Sequence, residues 1–232
     1  MVTTTVKMKK AKDTSVATKI AMAISGIIFV LFVLMHMYGN LKMFAGAEAF
    51  NGYAEHLREL GEPYLPHSGA LWILRIALFV ALLVHLDAAF RLWSRARKAR
   101  ATRYQAGRTA LAQTYASRTM RWGGVILLAF IVFHILQFTT MTVQLGDAAK
   151  AADPYTRVVY SFQEWYVWLI YLIAMLALTM HIRHGVWSAL ATLGTNKKRR
   201  QMAINTVAII VAAVVFIGFM APPTAILFGL IS

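Results

Sequence analysis

Five apolar runs, each long enough to cross a bilayer, limit this chain to one kind of fold. They fall at roughly 17–41, 71–93, 119–143, 165–189 and 204–231 of the 232 residues. A helix rises 1.5 Å per residue, so about twenty apolar residues cross about 30 Å of hydrocarbon. Lipid supplies no partners for backbone polar groups, so runs of this length must be helices. The expected fold class is an all-α membrane protein: an antiparallel bundle of five transmembrane helices. The polar segments between the runs, of which 42–70 is the longest, are too short for a separate soluble domain. Residues 1–232 are therefore expected to form a single transmembrane domain. The polar, basic start of the chain leads into the first run without a small-residue cleavage site, so that run is read as a retained helix.

Composition excludes several chemistries. The chain has no cysteine, so it carries no disulfide, no C-x-x-C-H haem attachment and no thiolate-bound iron–sulfur cluster. It also lacks the glycine-rich fingerprints of nucleotide sites. The formal net charge of +15 does not indicate nucleic acid, because the basic residues follow the positive-inside pattern. Lysines and arginines gather at the start of the chain (Lys7, Lys9, Lys10, Lys12, Lys19), from the end of run two to the start of run three (Arg91 to Arg121), and from the end of run four onward (Arg183, Lys197 to Arg200). Most of the acids, among them Glu48, Glu55, Glu59, Glu62, Asp147, Asp153 and Glu164, lie in the other loops. The amino terminus is accordingly expected in the cytoplasm and the carboxyl terminus outside.

The first four runs each contain a histidine: His36, His85, His134 and His181, at intervals of 49, 49 and 47 residues. An ionisable side chain at such depth is costly without a partner and marks a functional site by default. Helix rise gives the depths. His36 lies about 9 Å from the outer end of the first run and His134 about 15 Å from the outer end of the third. His85 and His181 lie about 20 Å and 24 Å below the outer ends of theirs. The histidines thus pair by depth, His36 with His134 in the outer half and His85 with His181 in the inner half.

Neutral imidazoles on facing helices are axial ligands for haem, and with both positions filled such a haem transfers electrons rather than binding oxygen. A single membrane histidine serves an interhelical hydrogen bond or proton relay equally well. Four at matched depths favour two b haems, a distal one at His36 and His134 and a proximal one at His85 and His181. His184, three residues after His181, shares its helix stripe. On spacing alone either is the proximal ligand, and His184 also suits a propionate contact. Arg183 suits a propionate or a lipid headgroup. Gly39, Gly123, Gly124 and Gly185 allow close approach of a macrocycle or a neighbouring helix. Asp87 and Arg91, four apart, suit an interfacial ion pair. His56 and His67 read as solvated loop residues. Pro222 and Pro223 fit a helix terminus.

Two local stretches carry a resemblance. One is His36-Met-Tyr-Gly-Asn-Leu-Lys-Met-Phe-Ala-Gly-Ala-Glu-Ala-Phe-Asn-Gly-Tyr53; the other runs from His181-Ile-Arg-His-Gly-Val-Trp-Ser to Gly194. With the five runs and four histidines, the chain resembles the five-helix di-haem cytochrome b membrane anchor of bacterial succinate dehydrogenase, in the succinate:quinone oxidoreductase and fumarate reductase family. In that family the helix-four ligand is followed four residues later by glycine. Gly185, Trp187 and Ser188 fit this when His181 is the ligand.

The resemblance implies a multi-pass subunit of the bacterial cytoplasmic (inner) membrane. Its partners would be a flavoprotein subunit with FAD and an iron–sulfur subunit, on the cytoplasmic side. Succinate, a tricarboxylic acid cycle substrate, would be oxidised on the flavoprotein, and electrons would reach a quinone, usually menaquinone. Di-haem fumarate reductases of this group have a glutamate two residues before the helix-four ligand, where this chain has Thr179; that tilts the reading towards succinate oxidation. Their quinol site uses an acid beyond helix one, which points to Glu48, Glu55, Glu59 or Glu62. The competing readings are an anchor for fumarate reductase or another dehydrogenase, such as a hydrogenase, and a haem-free transporter that uses the histidines as a relay.

Overall fold

The computed structural model describes residues 15–98, 110–193 and 198–232. Lys7, Lys9, Lys10, Lys12, Arg100, Arg103, Arg108, Gly194 and Lys197 lie outside them. The helices in chain order are α1 (Ser15–Leu41), α2 (Ala47–Glu59), α3 (Gly69–Lys98), α4 (Ala110–Phe138), α5 (Pro154–Phe162), α6 (Trp165–Leu193) and α7 (Lys198–Leu227). There is no strand among the described residues. Five helices, α1, α3, α4, α6 and α7, are long and apolar enough to cross a membrane, as the apolar runs require. Large apolar side chains stay exposed along them, Phe79 by 61% and Ile217 by 66%. Lipid removes the penalty that water would impose on such surfaces.

α6 is the central helix, packed against α1, α4 and α7, while α3 packs mainly on α1. Small residues on α6 and α7 let their backbones approach: Ala174, Ala177, Ala208 and Ala212 are all buried. One end of the bundle is basic, with Arg91, Arg95, Arg97 and Lys98 closing α3 and Arg199 and Arg200 opening α7. There Arg91 pairs with Asp87 at 2.8 Å, as their spacing suggests, and the Arg121 guanidinium lies 5.4 Å from the Trp93 ring centre.

The opposite end is capped by α2 and α5, which the apolar runs do not announce. α2 follows a short 3-10 turn, Lys42–Ala45, and a bend at Gly46, whose φ of +90° suits glycine. α5 is capped by Asp153, whose carboxylate accepts the Thr156 backbone N–H at 3.1 Å, with Pro154 at the first helical position. Asn51 joins the two caps: its Nδ2 donates to Asp153 Oδ1 at 2.9 Å and its Oδ1 accepts the Tyr155 N–H at 3.0 Å. Beneath them Met43, Tyr155, Val159, Phe162, Val167, Tyr171 and Ile226 form the largest buried apolar cluster.

Several helix ends differ from the sequence reading by a few residues or more, and two places bear on the site. α4 ends at Phe138 rather than near Val143. The chain folds back, so that Thr139 and Thr140 donate to the Ile135 carbonyl, and Thr142 and Val143 to that of Leu136. Met141 takes the left-handed conformation (φ 56°) that this reversal needs. α7 continues four residues past Pro223, so the two prolines sit inside its last turns rather than at its end. Pro222 is fully buried there.

The Thr156 and Asn51 donors hold the Asp153 carboxyl below the usual carboxylate range. Its contribution to stability is complete above the unfolded value of about 3.9 and fades as pH falls through the lowered folded value. Asp153→Ala should cost about 1 kcal/mol locally, seen as faster amide exchange across residues 154–162 at neutral pH. The difference from the parent should shrink as pH falls below the unfolded value and through the lower folded one.

Candidate functional site

The helices position the four histidines in two facing pairs. His36 on α1 and His134 on α4 have ring centres 5.8 Å apart at 79°. His85 on α3 and His181 on α6 have ring centres 6.2 Å apart at 53°. His36 and His134 stand five and four residues from the capped ends of their helices, α1 closing at Leu41 and α4 at Phe138. His85 and His181 each stand 16 residues from the capped starts of theirs, at Gly69 and Trp165. Helix rise turns those 16 residues into about 24 Å. The pairs therefore occupy two levels of the bundle, and the earlier end of α4, at Phe138, brings His134 to the level of His36.

Aromatic rings enclose the pair near the capped end. Phe32 stacks on His36 at 5.5 Å, and Phe219 of α7 lies 5.7 Å from it. Phe130 and Phe138, one turn to either side of His134, lie 5.7 and 5.6 Å from its ring. Two polar side chains that sequence reasoning passed over complete this level. His134 Nδ1 is 2.9 Å from the Tyr171 hydroxyl, which donates to Gln137 Oε1 at 2.9 Å. A glutamine one turn from a mid-span histidine, and a tyrosine mid-run on α6, were the available signals.

The second level is simpler. Ser25 Oγ lies 3.1 Å from His85 Nδ1 and donates to the Ala21 carbonyl at 2.8 Å. Phe29 meets the His85 ring edge-on at 5.9 Å. Gly26 and Gly124 face the Cε1 atoms of His85 and His181, at 3.6 and 3.8 Å from where a Cβ would stand. Of the other glycines singled out in the sequence, Gly39 admits the Tyr53 ring and Gly123 faces the Ala177 carbonyl; Gly185 has nothing within 4 Å.

The remaining candidates lie apart from these pairs. His184 rests against Trp187 at 5.9 Å, so it is His181 that faces His85. Arg183 is exposed. Glu48, Glu55, Glu59 and Glu62 are exposed on α2 and the turn after it. Glu55 pairs with Arg58 at 2.7 Å, and Glu62 with His67 at 3.3 Å. His56 and His67 are exposed at the capped end. Thr179 Oγ1 donates to the Met175 carbonyl at 2.7 Å.

Three observations test whether these residues suit haem. A metal held between two imidazoles, about 2.0–2.1 Å from each nitrogen, sets the ring centres about 6 Å apart, as both pairs are. Neither α1 and α4 nor α3 and α6 belong to the closely packed helix pairs among the described residues. Each histidine pair thus bridges helices whose backbones stand apart, which a macrocycle between them requires. Finally, His181 Nδ1 is buried without a hydrogen-bond partner, an arrangement that costs about 1–3 kcal/mol when nothing compensates it. The donor set and its spacing fit haem.

No curated protein and no solved structure matches the chain. The family model of the succinate dehydrogenase/fumarate reductase transmembrane subunit matches residues 94–219, more than half of the sequence. The matched stretch includes His134, Gln137, Tyr171 and His181, while His36 and His85 lie before it. With five spanning helices in place, the chain belongs to the succinate dehydrogenase/fumarate reductase transmembrane subunit family.

Proposed function

We propose that the chain is the di-haem cytochrome b anchor of a bacterial succinate dehydrogenase, passing electrons from an iron–sulfur subunit to menaquinone. The observation that carries this reading is the pair of opposed imidazoles at each of two levels, 5.8 and 6.2 Å between ring centres. His36 and His134 would hold the distal haem, and His85 and His181 the proximal one. When bound, the haems supply one-electron carriers with no open position for oxygen.

The chain's own residues hold and insulate. The four histidines come from four different helices, α1, α3, α4 and α6, so none of these four can shift without opening a site. Phe32, Phe130, Phe138 and Phe219 keep water from the outer pair. In this proposal the basic end faces the cytoplasm and offers the docking surface for the iron–sulfur and flavoprotein subunits. The capped end faces outward, and one of Glu48, Glu55, Glu59 and Glu62 serves the quinone there. Glu48 and Glu59 are the better candidates, since Glu55 and Glu62 are already engaged with Arg58 and His67. Thr179, its hydroxyl committed to a backbone carbonyl, offers no carboxylate for transmembrane proton movement. That supports succinate oxidation over fumarate reduction.

Electrons leaving the inner face for a quinone reduced outside move down a potential that is positive outside. Each charge gains about 2.3 kcal/mol per 100 mV, which helps drive a reduction close to equilibrium. Succinate–menaquinone turnover in sealed vesicles should therefore slow when an uncoupler collapses the potential. Equal rates would overturn the outer placement of the quinone.

Reduced-minus-oxidised spectra and haem content of the purified complex test the wiring. Two b haems per chain are expected. His36→Ala and His134→Ala should lose one of them, His85→Ala and His181→Ala the other, and His184→Ala neither. Absence of haem, or losses that cross the pairs, would overturn the proposal.

A further inference from the structure

Gln137 is 2% exposed inside a membrane-spanning helix, and its Nε2 has no partner. Its only described hydrogen bond is the one that its Oε1 accepts from Tyr171. A buried primary amide so poorly satisfied destabilises the fold. Its one described bond bears on its neighbour, Tyr171.

A tyrosine hydroxyl has a single proton to donate. At Tyr171 that proton goes to Gln137 Oε1, so towards His134 Nδ1, 2.9 Å away, the oxygen can only accept. A neutral imidazole carries one N–H. At His134 the contact places it on Nδ1 and leaves Nε2 with a free lone pair, the form a metal needs. Reversing the Gln137 amide would make Tyr171 the donor, put the proton on Nε2 and remove that lone pair.

We propose that Tyr171 and Gln137 are positioning residues that fix the tautomer of His134 and lower the midpoint potential of the haem it holds. The inference rests on the haem reading above. An N–H···O bond behind a ligating histidine makes the imidazole a stronger electron donor, which favours ferric iron. The Tyr171 oxygen accepts more strongly because its own proton is drawn to Gln137. Ser25 also touches a histidine, His85, with the Ala21 and Met22 carbonyls as acceptors for its proton, but without a further side chain behind it.

The test is a redox titration of the purified complex followed by visible absorption, with the outer haem identified by its loss in His36→Ala. Tyr171→Phe should keep both haems and raise the outer midpoint alone. The reduced-to-oxidised ratio at fixed potential should rise about tenfold, or about 59 mV for a one-electron couple. Gln137→Met should raise the same midpoint or empty the outer site, because it frees the Tyr171 proton to move to His134. The double variant should shift no further than Tyr171→Phe alone, since Gln137 acts through Tyr171. If Tyr171→Phe fails to assemble, Gln137→Met carries the test by itself. An unmoved outer midpoint with both haems retained would overturn this inference and leave the proposed function standing. A parent complex without haem would overturn the proposed function itself.

Discussion

Everything in this bundle answers to the cost of placing an imidazole where there is no water. A histidine at bilayer depth needs a partner from another helix, because its own helix has used its backbone groups internally. Four such residues on four helices impose four positional demands at once. They are met by putting α6 at the centre, where Tyr171 and His181 serve two levels from one helix. α7 has no histidine. It contributes Ala208, Ala212 and Val215, buried at 0–2% exposure, which hold α6 in place by close packing.

The capped end solves a different problem. α1 and α4 carry their histidines within two turns of their ends, where helices fray and side-chain positions loosen. The Asn51–Asp153 contact, between residues 102 apart in sequence, ties the segments that follow α1 and α4 to each other. The aromatic cluster under it, with Phe162 at 4.8 Å from Tyr171, carries that restraint down to the residue that touches His134.

Much of this was legible from residues alone. Apolar length set the five spans, and counting along helices at a fixed rise gave the two levels and the partner of each histidine. The prediction that losses of haem fall into two pairs needs no more than that. Other features were not legible. α2 and α5 are short and polar enough to read as loops, and they become helices through contacts with each other and with the bundle mouth. The end of α4 at Phe138 depends on a backbone reversal that Thr139, Thr140 and Met141 do not announce. His181 and His184 could be separated by resemblance but not by spacing, since both lie on one helical stripe; the packing of His184 on Trp187 decides which of them faces α3. Ser25, Gln137 and Tyr171 were visible as polar residues in apolar runs, yet their roles depend on rotational phase between helices, which periodicity does not supply.

The order of the paired residues along the chain has a topological result. His36 meets His134 and His85 meets His181, so the two connections overlap rather than nest or follow one another. A break anywhere between α3 and α4 would leave two fragments, each holding one member of both pairs and both members of neither. The two levels are thus not separable modules of the chain. Neither can exist before most of the chain has been inserted, and both would be lost together if its halves parted.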